Sequence, residues 1–315
     1  MQKLLVKLPN WMGDILFSYD LLNSLATSLE EMAVLTSTNH RQLFEIFPLP
    51  RTRVIAYPPE SWPRFDPETV KAIEDFRADA VLVLPNSIGA ALILRFFARA
   101  PLYGYATEHR DFLMRKSMLP PVARIHQAAY YLQLLQLFDL EARSYPPDGA
   151  TSGQRRVVIH PGASKMERAW HMDRFLEIGH QISEEGYQVV FVSGTRMASE
   201  PFEAVVNPSL KEFVDLLKGS ALFIGNDSGP LHLAQQAGIP VVGIYGPGNP
   251  LTTGPRPMTP HRVVYHAFPC SPCRQKFFQE CAPSTNGKPF CLETIGVNEV
   301  RRAALELLNP NLQPV

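Results

Sequence analysis

The sequence predicts an α/β chain of two doubly wound, Rossmann-like domains facing each other across a cleft. Three observations carry this. Short apolar runs of strand length alternate with helical spacings along most of the 315 residues. A polar, Pro/Gly-rich stretch from Glu141 to Gln154 interrupts the alternation once, and the pattern then restarts. Turns rich in small and polar residues follow several strands, where such folds place their ligands. The expected domains are 1–145 and 155–315.

The first half opens with KLLVK, Lys3 to Lys7, as a strand, followed by a Pro/Gly turn. Ile15 to Leu29 has helical spacing, with Ile15, Leu22, Leu25 and Leu29 on one face. Ala33 to Thr36, Arg53 to Ala56 and Ala80 to Leu84 read as strands. Thr69 to Phe76 and Ile88 to Phe97 read as intervening helices, and Ala128 to Phe138 as an apolar helix closing the unit. In the second half, Arg156 to His160, Gln188 to Ser193, Leu222 to Ile224 and Val241 to Tyr245 read as strands. Asp173 to Glu184, Leu210 to Leu217, Pro230 to Gln236 and Val297 to Leu308 read as helices.

Composition narrows the function. An apolar fraction of 45% with 19% charged residues is that of a globular protein. Thirty Lys and Arg balance thirty Asp and Glu, which argues against a generally nucleic-acid-seeking surface. The opening MQKLLVKLPNWMGD has too short an apolar run for a signal peptide. Ala80 to Phe97 is broken by Pro85-Asn86-Ser87 and contains Arg95, so it falls short of the ~20 apolar residues of a spanning helix. A cytoplasmic location is expected.

Three turns in the second half point to a diphosphate. Asp227-Ser228-Gly229 stands where a strand meets a helix, so free N–H groups and the helix dipole favour an anion there. His232 lies one turn further on. An ordinary N-cap at Asp227 or Ser228 is the plainer reading of that turn alone. His160-Pro161-Gly162-Ala163-Ser164-Lys165, with Arg168 and Trp170 after it, adds a hydroxyl and two cations, which a simple solvated turn would also carry. Gly246-Pro247-Gly248-Asn249-Pro250 is the third turn. In the first half, Pro9-Asn10-Trp11-Met12-Gly13-Asp14 offers Asp14 as a helix N-cap or as a general base for an acceptor hydroxyl. There is no P-loop, no G-x-G-x-x-G and no D-x-D pair, so a positively lined, metal-free site fits best.

Cys270, Cys273, Cys281 and Cys291 are the chain's four cysteines. Their spacing suits a tetrathiolate zinc or iron site of structural role, since a cytosolic setting disfavours disulfides.

LPNWMGD, HPGASKMERAW, NDSGPLHLAQQAGIPVVGIYGP and the CSPC…C…C run together resemble the glycosyltransferase family 9 heptosyltransferases, the heptosyltransferase II branch above all. The four blocks occur in order across nearly the whole chain. The resemblance implies a GT-B fold, with an N-terminal acceptor domain and a C-terminal sugar-nucleotide domain. It implies inverting transfer of heptose from ADP-heptose to the lipopolysaccharide inner core, with no cofactor in the chemistry. By motif position Asp14 would be the base. Ser164, Lys165 and Arg168 would hold the diphosphate, and Asp227, Ser228, Gly229 and His232 would complete the donor site. Lys7, with Asn10 and Trp11, would meet the acceptor, although Lys7 reads equally as a lysine on a strand edge. The family pattern places an acid after the strand that here ends in Ser193-Gly194, whereas this chain has Thr195-Arg196 and its first acid at Glu200. The same fold with another nucleotide sugar or a protein acceptor, or a non-catalytic binding protein, are the alternatives. A protein heptosyltransferase would be expected to carry an added N-terminal domain. Arg95, Arg99, Arg110, Arg115, Lys116 and Arg124 with Phe112, Leu113 and Met114 among them would face acidic lipid headgroups at the inner face of the membrane or acceptor phosphates, or form an ordinary solvated basic face beside core residues.

Overall fold

The computed structural model describes residues 2–62, 64–147, 154–196, 199–270, 273, 275–279 and 281–309. The chain divides into two units, Met1–Tyr145 and Pro146–Val315.

The first unit runs β1 (Lys3–Lys7), α1 (Met12–Phe17), α2 (Tyr19–Ser28), β2 (Glu31–Ser37), α3 (Thr38–Ile46), β3 (Thr52–Tyr57), α4 (Pro67–Phe76), β4 (Ala80–Val83), α5 (Ile88–Phe97), β5 (Leu102–Tyr105), β6 (Met114–Met118) and α6 (Gln127–Leu132). Its strands form one parallel sheet in the order β3-β2-β1-β4-β5-β6. The central strands are apolar and buried because helices cover both faces: β4 is AVLV, buried throughout. Helix starts follow local chemistry. Asp66 caps α4 by accepting from Thr69 N at 3.0 Å, with Pro67 behind it. Ser87 caps α5 by accepting from Ala90 N at 3.3 Å.

The second unit runs β7 (Arg156–His160), α7 (Met172–Glu184), β8 (Gln188–Ser193), β9 (Glu203–Val206), α8 (Leu210–Lys218), β10 (Leu222–Asn226), α9 (Gly229–Gln236), β11 (Val241–Tyr245), α10 (Pro250–Thr253), β12 (His261–Tyr265), α11 (Phe290–Glu293) and α12 (Val297–Leu308). Its parallel sheet has the order β12-β11-β10-β7-β8-β9. Counted within each unit, both sheets have the same Rossmann order, in which the first and fourth strands are neighbours and connections leave them in opposite directions. The carboxyl ends of β1 with β4, and of β7 with β10, are therefore the switch points. In α7, Phe175, Ile178, Gly179 and Ile182 make the buried stripe, and α12 adds Val300, Ala303 and Ala304 to the same core. A capping box between Ser209 and Glu212 starts α8.

The fold thus matches the α/β expectation, with local differences. The single helix expected over Ile15 to Leu29 is two, because Ser18 turns its hydroxyl back to Ile15 O (2.7 Å) and the chain steps there. Ala128 to Phe138 is α6 followed by a 3₁₀ turn, Gln133–Leu137. The start of the expected linker is not loose. Arg143 and Tyr145 dock on α2, with Arg143 N donating to Ser24 Oγ (2.7 Å) and Tyr145 N to Asp20 Oδ1 (2.6 Å). The linker's 148–153 lie outside the described residues. Helix α3 and the strands β5, β6, β9 and β12 were not anticipated. β6 and β9 are sheet edges and carry few buried apolar residues to betray them.

Candidate active site

At the second unit's switch point two of the expected turns meet. β10 extends to Asn226, which is wholly buried. Its amide nitrogen donates to Pro161 O (2.8 Å) and Gly162 O (3.2 Å), and its oxygen accepts from Trp170 N (2.9 Å). Asn226 therefore stitches the loop after β7 to the end of β10, a role its place in NDSG does not announce. Asp227 is no N-cap. It is buried, and its Oδ2 lies 2.6 Å from Arg168 Nη2, which also reaches Asp227 O at 3.0 Å. Burial pushes the Asp227 carboxyl up, and Arg168 opposes that shift. Arg168 Nε is buried with no partner among the described residues, so one strong donor remains to be used.

Ser228 occupies the N-cap position of α9 but does not cap it; its hydroxyl turns to Asn226 O (3.2 Å). The α9 start carries no side-chain cap, with Gly229 first in the helix and His232 buried in the first turn. Ser164 and Lys165 are exposed on the loop. His160, at the end of β7, is held neutral, with burial lowering its pKa to about 4. Positive charge at this point thus comes from Lys165 and Arg168. The Gly246-Pro247-Gly248 turn serves packing. A Cβ on Gly248 would lie 2.0 Å from Asp227 Oδ2, and one on Gly246 would lie 2.4 Å from Leu292 Cγ. The turn is small so that Asp227 and Leu292 fit against it.

In the first unit, Asp14 is the third residue of α1, and the N-cap position belongs to the exposed Trp11, which makes no side-chain cap. The N-cap reading of Asp14 is therefore corrected. Its carboxyl forms no hydrogen bond among the described residues. Burial raises its pKa to about 6. Helix α6 packs on α1, and the charge of Asp14 in turn helps push up the Tyr131 hydroxyl. Lys7 is on the central strand β1, not at an edge, and is fully buried. Its ammonium donates to Leu8 O (2.6 Å), lies 3.4 Å from Asn10 Oδ1, and faces the rings of Trp62 (4.9 Å) and Tyr57 (5.2 Å). Burial lowers its pKa to about 7. Asn10 and Trp11 are exposed beside it.

Two other predicted groups are placed as follows. Cys291 is buried, and its thiol is pushed up to about 12 by burial and by Cys270, Cys273 and Cys281. Among the described residues, no group of three or more His, Cys, Asp or Glu side chains has metal-holding geometry. In the basic segment Arg110 is not at the surface. It is fully buried, donating to Tyr105 O (2.9 Å), to Ser87 O (3.1 Å) and to Pro85 O. No helix among the described residues is long and apolar enough to cross a membrane.

Two units of Rossmann order in one chain, one with Lys165 and Arg168 at its switch point and the other with the Asp14 carboxyl in the first turn of α1, have the architecture of the GT-B glycosyltransferases. Residues 68–281 match the model of glycosyltransferase family 9 (heptosyltransferase), and the chain belongs to that family. Lipopolysaccharide heptosyltransferase 2 of Escherichia coli K12 is 26% identical over 300 residues, covering 80% of this chain and 85% of that one. A shorter match, to the lipopolysaccharide core heptosyltransferase OpsX of Haemophilus influenzae, is 27% identical over 115 residues, covering 32% of this chain and 33% of that protein. The solved E. coli ADP-heptose LPS heptosyltransferase II superposes with a TM-score of 0.73 at 20% identity, covering 98% of this chain and 99% of that one. The iron-containing dodecameric glycosyltransferase TibC of enterotoxigenic E. coli superposes at 0.67 and 14% identity, covering 100% of this chain and 80% of that one.

Proposed function

We propose that the enzyme transfers heptose from ADP-heptose to the inner core of lipopolysaccharide, in one inverting displacement with no metal in the chemical step. The observation that carries this reading is Asp14: a half-buried carboxyl, free of hydrogen bonds among the described residues, with a pKa raised to about 6. Ionised near neutrality, it takes the proton of the acceptor hydroxyl. The acceptor oxygen bonds to the anomeric carbon from the face opposite the diphosphate, and the bond to the diphosphate breaks with its electron pair leaving on ADP. Lys165 and the remaining donor of Arg168 meet that growing charge, with Ser164 and the uncapped start of α9 at Gly229 beside them. Asp227 orients Arg168. Lys7, being buried, would act on the acceptor through Asn10 and the turn that carries Trp11.

Calorimetric titration with ADP, UDP and GDP, first without metal and then with magnesium, tests the donor. Binding of ADP in preference to the others, without metal, is expected. Preference for UDP or GDP, or a strict need for magnesium, would discard the donor and the metal-free step while leaving the fold. Turnover of ADP-heptose with truncated lipopolysaccharide follows. The run Thr195-Arg196, where the family pattern has an acid, favours a second reading on the same fold, in which another nucleotide sugar is used.

Two further features belong to this reading. Cys270, Cys273, Cys281 and Cys291 are a donor set suited to zinc or iron, and the influence of the first three on Cys291 supports their convergence. Such an ion would be structural, tying down the loop that carries them. Elemental analysis of anaerobically purified protein is expected to find about one such ion per chain; none would remove the proposal. At the surface, Phe96, Phe112, Leu119 and Val122 are exposed near Arg95, Arg99, Arg115 and Arg124. This mixture of apolar side chains and cations fits the inner face of an anionic membrane. Charge reversal at Arg115 and Lys116 is expected to weaken binding to anionic liposomes several-fold, each cation contributing roughly 1 kcal/mol near the surface. Unchanged binding would sink it.

A further inference from the structure

The loop that carries Ser164 to Arg168 is held from outside by the Cys-rich segment. Lys288 Nζ donates to Met166 O at 2.7 Å. The Lys165 ammonium lies 5.5 Å from the centre of the Phe277 ring. The Lys288 contact is not a chance meeting of loose side chains. Lys288 sits in a closed turn, in which Ser284 N donates to Lys288 O (2.8 Å) and Pro283 pairs with Pro289. That turn is braced by Glu293, whose carboxylate accepts from Arg174 Nη2 (2.7 Å), Ser284 Oγ (3.0 Å) and Asn286 Nδ2 (3.1 Å) and lies 2.8 Å from His171 Nε2. Arg174 Nη1 adds bonds to Glu293 O (2.7 Å) and Ile295 O (2.8 Å). The chain from Ser284 to Ile295 is thus fastened to α7, and it reaches out to the loop through one lysine.

We propose that Lys288 and Phe277 are positioning residues for the donor. They hold the 164–168 loop in its binding shape, so that the Cys-rich segment sets donor affinity. This rests on the reading of the second unit as the donor site. Ser164, Lys165 and Met166 are exposed, and the loop begins with the small residues Gly162 and Ala163. Unheld, it would lose conformational freedom each time it closed on a diphosphate, and that cost would appear in affinity. Fastening Met166 and parking the Lys165 ammonium over a ring removes part of it beforehand. Phe277 lies between Cys273 and Cys281, and Lys288 three residues before Cys291.

Hydrogen exchange at residues 162–168 and ADP titration, in the wild type and in Lys288→Met, Lys288→Arg and Phe277→Leu, test this. Lys288→Met is expected to speed exchange in the loop. It should weaken ADP binding and raise the donor KM together by about 5- to 10-fold, the worth of one hydrogen bond, with kcat within about twofold. Lys288→Arg should restore most of the affinity, and Phe277→Leu should lose about threefold. ADP affinity unchanged in both Lys288→Met and Phe277→Leu overturns the proposal, whatever the exchange shows. So does a Lys288→Arg variant as weak as Lys288→Met. If the wild type binds no nucleotide, the donor reading fails by itself, and loop exchange then decides the rest. Unchanged protection would end the idea that the segment holds the loop, and faster exchange would sustain it.

Discussion

Asn in place of Asp14 is expected to leave ADP binding intact and to lower turnover by about 10²- to 10⁴-fold, the usual worth of a positioned general base. The structural change is small, because the Asp14 carboxyl has no hydrogen bond among the described residues to lose. The pH profile separates a base from a residue that merely packs. Asp14 accepts a proton only when ionised, and burial places its pKa at about 6. Activity should therefore be full above that value and fall as pH drops through it. The residual activity of the Asn variant should lack this acid limb. Equal turnover in the two proteins would overturn the assignment of the base.

The second large effect concerns the ion pair of the buried Asp227 with the partly buried Arg168. Arg168→Ala leaves the Asp227 carboxylate buried without its partner. Removing one member of such a pair costs about 3–5 kcal/mol. For a unit of this size that lowers the melting temperature by roughly 6–15 °C. The sign with pH follows from the carboxyl. Without Arg168 its folded pKa rises further above the unfolded value. The variant should then regain stability on acidification and lose it as pH rises through that folded pKa. Adding Asp227→Asn should recover much of the stability by removing the lone charge, yet leave ADP affinity low because the cation is still missing. A thermal denaturation series at several pH values reads all of this. An Arg168→Ala protein that melts like the wild type would refute it.

Much of this was legible in the sequence, and the failures are instructive. The alternation of apolar runs and helical spacings exposes the two sheets because parallel strands are buried on both faces and therefore keep their apolar character. The edge strand MRKSM loses that character and went unread, and EAVV keeps three apolar residues but is only four long and largely exposed. The residues of NDSG and HPGASKMER were visible as two neighbouring clues. That Arg168 pairs with Asp227, and that Asn226 stitches the loops together, were not visible, since both depend on β7 and β10 lying side by side. Lys7 shows the same limit. KLLVK reads alike at an edge or in the middle of a sheet, and only strand order reveals that its ammonium is enclosed by Trp62 and Tyr57. Gly248 looked like a contact for phosphate, whereas its missing Cβ makes room for a carboxylate.

The neighbouring of β7 and β10 has a consequence for how the second unit comes into being. Val157 pairs with Leu222, so closing this ladder loops out the intervening α7, β8, β9 and α8. Pairings so distant along the chain carry the largest loop-closure cost and slow the folding of parallel sheets. The turns at 160–168 and 226–229 therefore meet at a seam of high closure cost, where the strand set β7-β8-β9 joins β10-β11-β12. A nucleotide seated there would bind both sides of the join and only the joined form. By mass action it would oppose the seam's reopening, so that a nucleotide bound there would also guard the folded state.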